Sequence, residues 1–202
     1  MKLHFDSNQE YQLEAIRAIT NIFEGQALSS GDFEFSVSPA GTLITVNGIG
    51  NHLGLSDEQI LENVKIIQQR NEIKDKIVEL QGMNFSVEME TGTGKTYVYL
   101  RTIYELNKLY GFKKFVVVVP SIAIREGVLK NLQITHEHFQ SLYDKAPVSF
   151  GVYDSKKISH LRGFASANSI QILIINIDAF AKDENIINKP NDKLTGKKPI
   201  EF

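Results

Sequence analysis

Between Asn8 and Phe23 the apolar positions Tyr11, Ala15 and Ile19 recur at helical spacing, with Ile16, Ile22 and Phe23 beside them, and Gly25 ends the pattern. That spacing puts the apolar side chains on one stripe and predicts an amphipathic helix. The β-prone runs Phe33 to Val37 and Thr42 to Val46 follow, joined by Ser38-Pro39-Ala40-Gly41, which predicts a hairpin with a four-residue turn. Ser56, with Gln59 three residues on, makes a capping box ahead of Ile60, Val64 and Ile67, and of Ile73, Ile77 and Leu80 at similar steps. The expectation is one long helix reaching Gln81 and stopped by Gly82.

Beyond Gly82 the pattern changes to short apolar runs alternating with helical stretches. Strands are predicted at Phe85 to Met89, Lys114 to Val119, Val148 to Val152 and Gln171 to Ile175. Helices are predicted near Lys95 to Leu109, Ile122 to Tyr143 and Lys156 to Phe164. Four βα alternations imply an α/β fold with a parallel sheet covered on both faces. Asp183 to Phe202, rich in Asn, Lys, Pro and Gly without a period, is predicted as a loop.

Composition narrows the classes. The 202 residues are 42% apolar and 23% charged, as in a chain that buries a core. With 22 Lys and Arg against 24 Asp and Glu the formal net charge is -2, so any contact with nucleic acid must be local. Without cysteine there is no disulfide, no thiolate zinc site and no cysteine nucleophile. The longest apolar run, Phe115 to Pro120, is far short of the ~18 residues of a membrane span. No apolar stretch follows the first six residues, so no secretory signal is visible; the reading is a soluble, cytoplasmic protein with no membrane partner.

One segment carries chemistry. Thr91-Gly92-Thr93-Gly94-Lys95-Thr96 falls between a predicted strand and a predicted helix, the setting of a phosphate-binding loop. Glycines at 92 and 94 let backbone N–H groups turn inward around a polyphosphate, and the helix beginning near Lys95 adds its positive end. Lys95 would reach the β- and γ-phosphates of ATP and supply charge to the transition state, while the Thr96 hydroxyl would ligate Mg²⁺. The strict pattern asks for glycine at position 89, where this chain has Met89; the form present is that of helicase-type ATPases. The bland alternative is a glycine-rich βα turn that binds nothing.

Glu88 to Val98 and Val116 to Val128 resemble helicase motifs I and Ia of the restriction (Res) subunit of type III restriction enzymes, which are superfamily 2 helicase-like ATPases. Phe5-Asp6 and Asn8 to Ile16 resemble the opening of the same family, including the Tyr-Gln-x-x-Ala-Ile pattern in which a glutamine reads adenine. That role falls on Gln12, with Gln9 one turn earlier as a substitute; an amide can accept from adenine N6 and donate to N7 at once. In motif Ia, Pro120 and Ser121 open a helix whose amides and Ser121 hydroxyl would hold a DNA phosphate, with Arg125 as a nearby cation. The stretch Ile170 to Phe180 matches motif Ib, where Asn176 stands in the place of a DNA-contacting threonine. The resemblance implies a P-loop, RecA-like parallel sheet, incomplete as a first helicase domain (83–202), preceded by a helix carrying the glutamine motif (1–24) and an α+β insertion (25–82). ATP and Mg²⁺ would be its cofactors, and double-stranded DNA and a type III modification methyltransferase its partners. The chain looks like an N-terminal fragment, since the family pattern would add an Asp-Glu strand, a second RecA-like domain and a nuclease domain.

Two readings compete with it. One is a nucleotide-binding or interaction module without catalysis. The other is a different P-loop ATPase that uses Asp178, at a strand end, as its Mg²⁺-binding aspartate. His136-Glu137-His138 puts its histidines on opposite helix faces and offers no metal site. Lys113-Lys114 and Lys156-Lys157 read as solvated faces.

Overall fold

The computed structural model describes residues 5–28, 36–37, 43–44, 49–194, 196 and 198–201. They divide into two compact units, one drawn from 1–29 and 52–111 and the other from 30–51 and 112–202.

The first unit holds helices α1 (Glu10–Thr20), α2 (Asp57–Arg70) and α3 (Lys95–Tyr110). A 3-10 turn, Asn21–Phe23, prolongs α1 as the apolar stripe requires. Ile22, Ile60, Val64 and Ile67 form its buried cluster, with Phe23, Ile77, Leu80 and Phe85 packed against them. Tyr110 ties the end of α3 to α1 by donating to the Thr20 carbonyl at 3.0 Å. Arg101 on α3 is buried and donates to the Ser7 carbonyl at 2.5 Å, and Phe5 stacks on Tyr97 with ring centroids 5.9 Å apart.

Helix α2 starts where the capping box places it: Ser56 Oγ accepts from Gln59 N, and Gln59 Oε1 accepts from Ser56 N at 2.9 Å. It does not reach Gln81. Asn71 turns its side chain back to the Ile67 carbonyl at 2.8 Å, Glu72 takes φ +55°, and Gln68 Oε1 accepts from Ile77 N at 2.9 Å. These polar groups supply what a continuing helix would have supplied, so the chain folds back after Arg70. The predicted strand Phe85 to Met89 is a second correction. The segment pairs with no strand among the described residues, and an unpaired strand gains no ladder hydrogen bonds.

In the second unit, β1 (Ser36–Val37) and β2 (Leu43–Ile44) pair antiparallel, as the hairpin pattern predicts; its turn lies outside the described residues. Strands β3 (Lys114–Val119), β4 (Val148–Val152) and β5 (Ile170–Asn176) form a parallel sheet in the order β3-β5-β4. Helix α4 (Ile122–Leu142) connects β3 to β4, burying Val128, Leu132, Thr135 and Phe139. The helix predicted at 156–164 is instead a 3-10 turn, Ser155–Lys157, and α5 (His160–Ser166). Coverage on both faces holds for β5, whose Ile170, Ile172, Ile174 and Ile175 are buried. It fails on β3, where Val116 and Val118 remain 52% and 49% exposed.

Lys114 is another departure from the sequence reading. Its ammonium is half-buried rather than solvated, donating to the Phe164 and Ala167 carbonyls at 2.5 and 2.6 Å, over the Phe164 ring. A cation there satisfies carbonyls at the end of α5. Burial, with the Lys113 charge beside it, lowers the Lys114 ammonium to about 8. Between Asp183 and the end, 3-10 turns interrupt the expected loop, and Leu194 is buried against Ile158 and Leu161. Among the described residues no helix is long and apolar enough to cross a membrane.

Candidate functional site

The segment Thr91 to Thr96 runs from a stretch without regular structure into α3. Gly92 and Gly94 take φ +83° and +86°, conformations that strain any residue with a Cβ. Gly94 is the N-cap of α3 and offers no side chain, so the helix begins without a side-chain cap. An uncapped start presents N–H groups and the positive end of the helix to an anion. A Cβ on Gly92 would meet nothing within 4 Å, leaving open space on that side of the loop. Thr93 Oγ1 and Lys95 Nζ both donate to the Glu90 carbonyl at 2.6 Å, closing the loop upon itself with an exposed lysine at its mouth. The donor set suits Mg²⁺-bound triphosphate: backbone N–H groups, one ammonium and the Thr96 hydroxyl.

Gln12 is buried within the same unit. Its Nε2 donates to the Thr93 carbonyl at 2.9 Å, and a Cβ on Gly94 would stand 2.7 Å from that nitrogen. Gln9 lies further out, its Oε1 accepting from the Tyr11 hydroxyl. Helix α1 and the loop ahead of α3 thus bring Gln12, Thr93 and Gly94 together. Tyr99, one turn beyond Thr96, has a buried hydroxyl; burial pushes its phenol upward, against a smaller lowering influence of the Thr96 side chain.

In the second unit, Ser121 caps α4: its Oγ accepts from Ile124 N at 3.3 Å. Pro120 is exposed, and Arg125 pairs with Glu126 through Nη2 at 2.8 Å. Asn176 ends β5 with Oδ1 accepting from Asp178 N at 2.9 Å, and Asp178 is exposed in the 3-10 turn that follows. Arg125, Asn176 and Asp178 line one cleft of about 890 Å³ at the carboxyl ends of β4 and β5, where open parallel sheets place ligands. Sequence reasoning did not assign Tyr153, Lys157 or His160 to a site, reading Lys157 as part of a solvated face; all three stand on its wall, and no motif marks them. The Tyr153 hydroxyl is buried with no partner. The two histidines of 136–138 face aromatic rings, Phe150 and Phe139, and among the described residues no three metal-ligating side chains converge.

The glycine loop ahead of an uncapped helix and the parallel α/β sheet are features of helicase-like P-loop proteins, and the family match places the chain in that class. More narrowly, the chain belongs to the family described as type III restriction enzyme, res subunit, whose model matches residues 7–199. It is 31% identical over 156 residues, 75% of its length, to the type III restriction-modification enzyme EcoPI Res subunit of Escherichia phage P1. It is 29% identical over 227 aligned positions, 96% of its length, to the EcoP15I Res subunit of Escherichia coli, and 39% identical over 110 residues to the StyLTI Res subunit of Salmonella typhimurium. The matched regions cover 15%, 22% and 11% of those relatives.

Proposed function

We propose that the chain is the ATP- and DNA-engaging part of a type III restriction subunit, which in its full-length setting couples ATP hydrolysis to movement on DNA and endonucleolytic cleavage. The observation that carries this reading is the loop Thr91 to Thr96, with two positive-φ glycines ahead of an uncapped helix. Its backbone N–H groups and Lys95 hold the phosphates, and Thr96 holds Mg²⁺, which neutralises phosphate charge when bound. Lys95 trades the Glu90 carbonyl for a phosphate oxygen, a stronger, charge-assisted partner. Pro120, Ser121, Arg125 and Asn176 engage the DNA backbone, positioning double-stranded DNA without reading its sequence. A modification methyltransferase partner reads the site.

By itself the 202-residue chain binds without turning over. Hydrolysis needs a held metal, a positioned water and charge stabilisation of the transition state, and Lys95 with Thr96 supplies only part of this. Calorimetry with Mg²⁺ and ATP tests the assignment. Lys95→Ala removes one charge-assisted contact, which costs about 1.5 to 3 kcal/mol, or roughly ten- to a hundredfold in affinity. Equal binding by both proteins refutes the phosphate-loop reading. A DNA-stimulated ATPase signal that survives repurification and disappears in Lys95→Ala refutes the claim of binding without turnover.

A further inference from the structure

Strand β3 lies at one edge of the parallel sheet, with β5 as its single neighbour. A parallel ladder uses the peptide groups of every second residue. Gln171 N donates to the Lys113 carbonyl at 2.7 Å, so Phe115, Val117 and Val119 turn theirs to β5 as well, while Lys114, Val116 and Val118 turn theirs outward. The first outward position is closed. Asn51 Nδ2 donates to the Lys114 carbonyl at 2.7 Å and Asn51 Oδ1 accepts from Lys114 N at 3.0 Å, so one side-chain amide stands in for a neighbouring strand. Beyond Val118 the next outward position is Pro120, which has no N–H. Between these two stops, the N–H and C=O groups of Val116 and Val118 meet no partner among the described residues, and both valine side chains are half-exposed on one face. An edge of this kind is a template for another strand.

We propose that this edge takes the same edge of a second copy of the chain, antiparallel about a twofold axis at Val117. In that register Val116 lies opposite the partner's Val118, and Val118 opposite the partner's Val116. Four hydrogen bonds then satisfy every open peptide group of the window. Lys114, whose groups Asn51 already holds, falls opposite the partner's Pro120, which has no N–H to offer, so the closed positions meet each other. Other registers match less well. An axis at Val116 sets Lys114 against the partner's Val118 and loses those bonds, and an axis at Val118 sets the Val116 carbonyl against proline. The facing valines are β-branched cross-strand pairs, which favour pairing. The contact is short, below the ~1,200 Å² of a standard interface, so the pair forms only at high concentration. Two three-stranded sheets would join into one of six strands, with the clefts at the carboxyl ends of β4 and β5 at its opposite ends.

The chain has no cysteine, so a single introduced thiol reports a single contact. On the axis the two copies of position 117 form a non-hydrogen-bonded pair with Cα atoms about 4.5 Å apart, within disulfide reach. The two copies of position 116 are diagonal neighbours, roughly 8–9 Å apart and out of reach. Diamide oxidation should therefore crosslink Val117→Cys and leave Val116→Cys uncrosslinked; any other pattern overturns the register. Sedimentation equilibrium of the unaltered chain should show monomer and dimer in exchange with a Kd between about 10 μM and 1 mM. Val118→Lys should weaken the pair at least about tenfold, since a lysine on an edge opposes strand addition. A chain that stays monomeric at about 1 mM overturns the proposal and leaves the edge to a strand of a longer polypeptide. A dimer undiminished by Val118→Lys overturns it too, by moving the contact to another face. The sedimentation of the unaltered chain decides self-association even if a variant does not fold.

Discussion

Gly94 and Gly92 provide a matched pair of perturbations, because both take a positive φ and they differ in surroundings. Their φ angles are +86° and +83°, so an alanine at either position bears a similar left-handed strain, about 1–2 kcal/mol. At Gly92 the new methyl would meet nothing within 4 Å, whereas at Gly94 it would lie 2.7 Å from Gln12 Nε2. Real Cβ atoms do not approach so closely, so the Gln12 amide must move and its bond to Thr93 is lost. That bond is worth about 0.5–1.5 kcal/mol. Gly92→Ala should therefore cost roughly 1–2 kcal/mol and Gly94→Ala roughly 1.5–3.5 kcal/mol, more than Gly92→Ala by the worth of that bond. Urea unfolding followed by circular dichroism reads both. Repeating the pair in Gln12→Ala isolates the collision, since there the two substitutions should cost the same. Equal costs in the unaltered chain, or an undiminished excess at position 94 without Gln12, would refute the account of this contact.

Ile60 is fully buried among Ile22, Val64 and Ile67, so Ile60→Ala should destabilise the first unit by about 2–5 kcal/mol in the same unfolding assay; a loss below 1 kcal/mol would mean the cluster is not the core of that unit. Lys114 gives a pH signature: its folded ammonium titrates near 8, below the ordinary 10.5, so between those values the unfolded chain holds a proton that the folded chain has released. Stability should rise with pH across that window, and the rise should be smaller in Lys114→Met; identical pH slopes in the two proteins would refute the burial of this amine.

What the sequence disclosed and what it hid follow from the range of the interactions concerned. The Ser56–Gln59 cap is a bond between neighbours, and both of its hydrogen bonds form as expected. The long helix to Gln81 failed although its apolar spacing was sound. Ile77 and Leu80 do pack on the same cluster as Ile60 and Val64, but from a chain that has turned at Asn71 and Glu72 rather than continued. Periodicity records which residues are buried together and not the path between them. Strand Phe85 to Met89 failed for a related reason, since a strand is completed by a partner that no local pattern names. In the candidate site, the loop glycines were legible because a positive φ at positions 92 and 94 favours glycine. The Gln12–Thr93 bond, across 81 positions, was not. Neither was the burial of Lys114, because a pair of lysines carries no mark of which one meets the end of a helix.

The same geometry explains why Lys95→Ala can separate binding from folding. Lys95 is exposed, and in the loop its ammonium meets a backbone carbonyl that solvent would serve nearly as well. Removing it should shift unfolding by no more than about 0.5 kcal/mol, as for an ordinary surface substitution. Removing it from a phosphate costs more, because a triphosphate concentrates negative charge where no other side-chain cation of the segment Thr91 to Thr96 stands. A variant that loses nucleotide affinity while its urea midpoint stays fixed therefore reports on the loop's chemistry. If the midpoint fell together with the affinity, Lys95 would be holding the loop in shape, and its weakened binding would say nothing about phosphate.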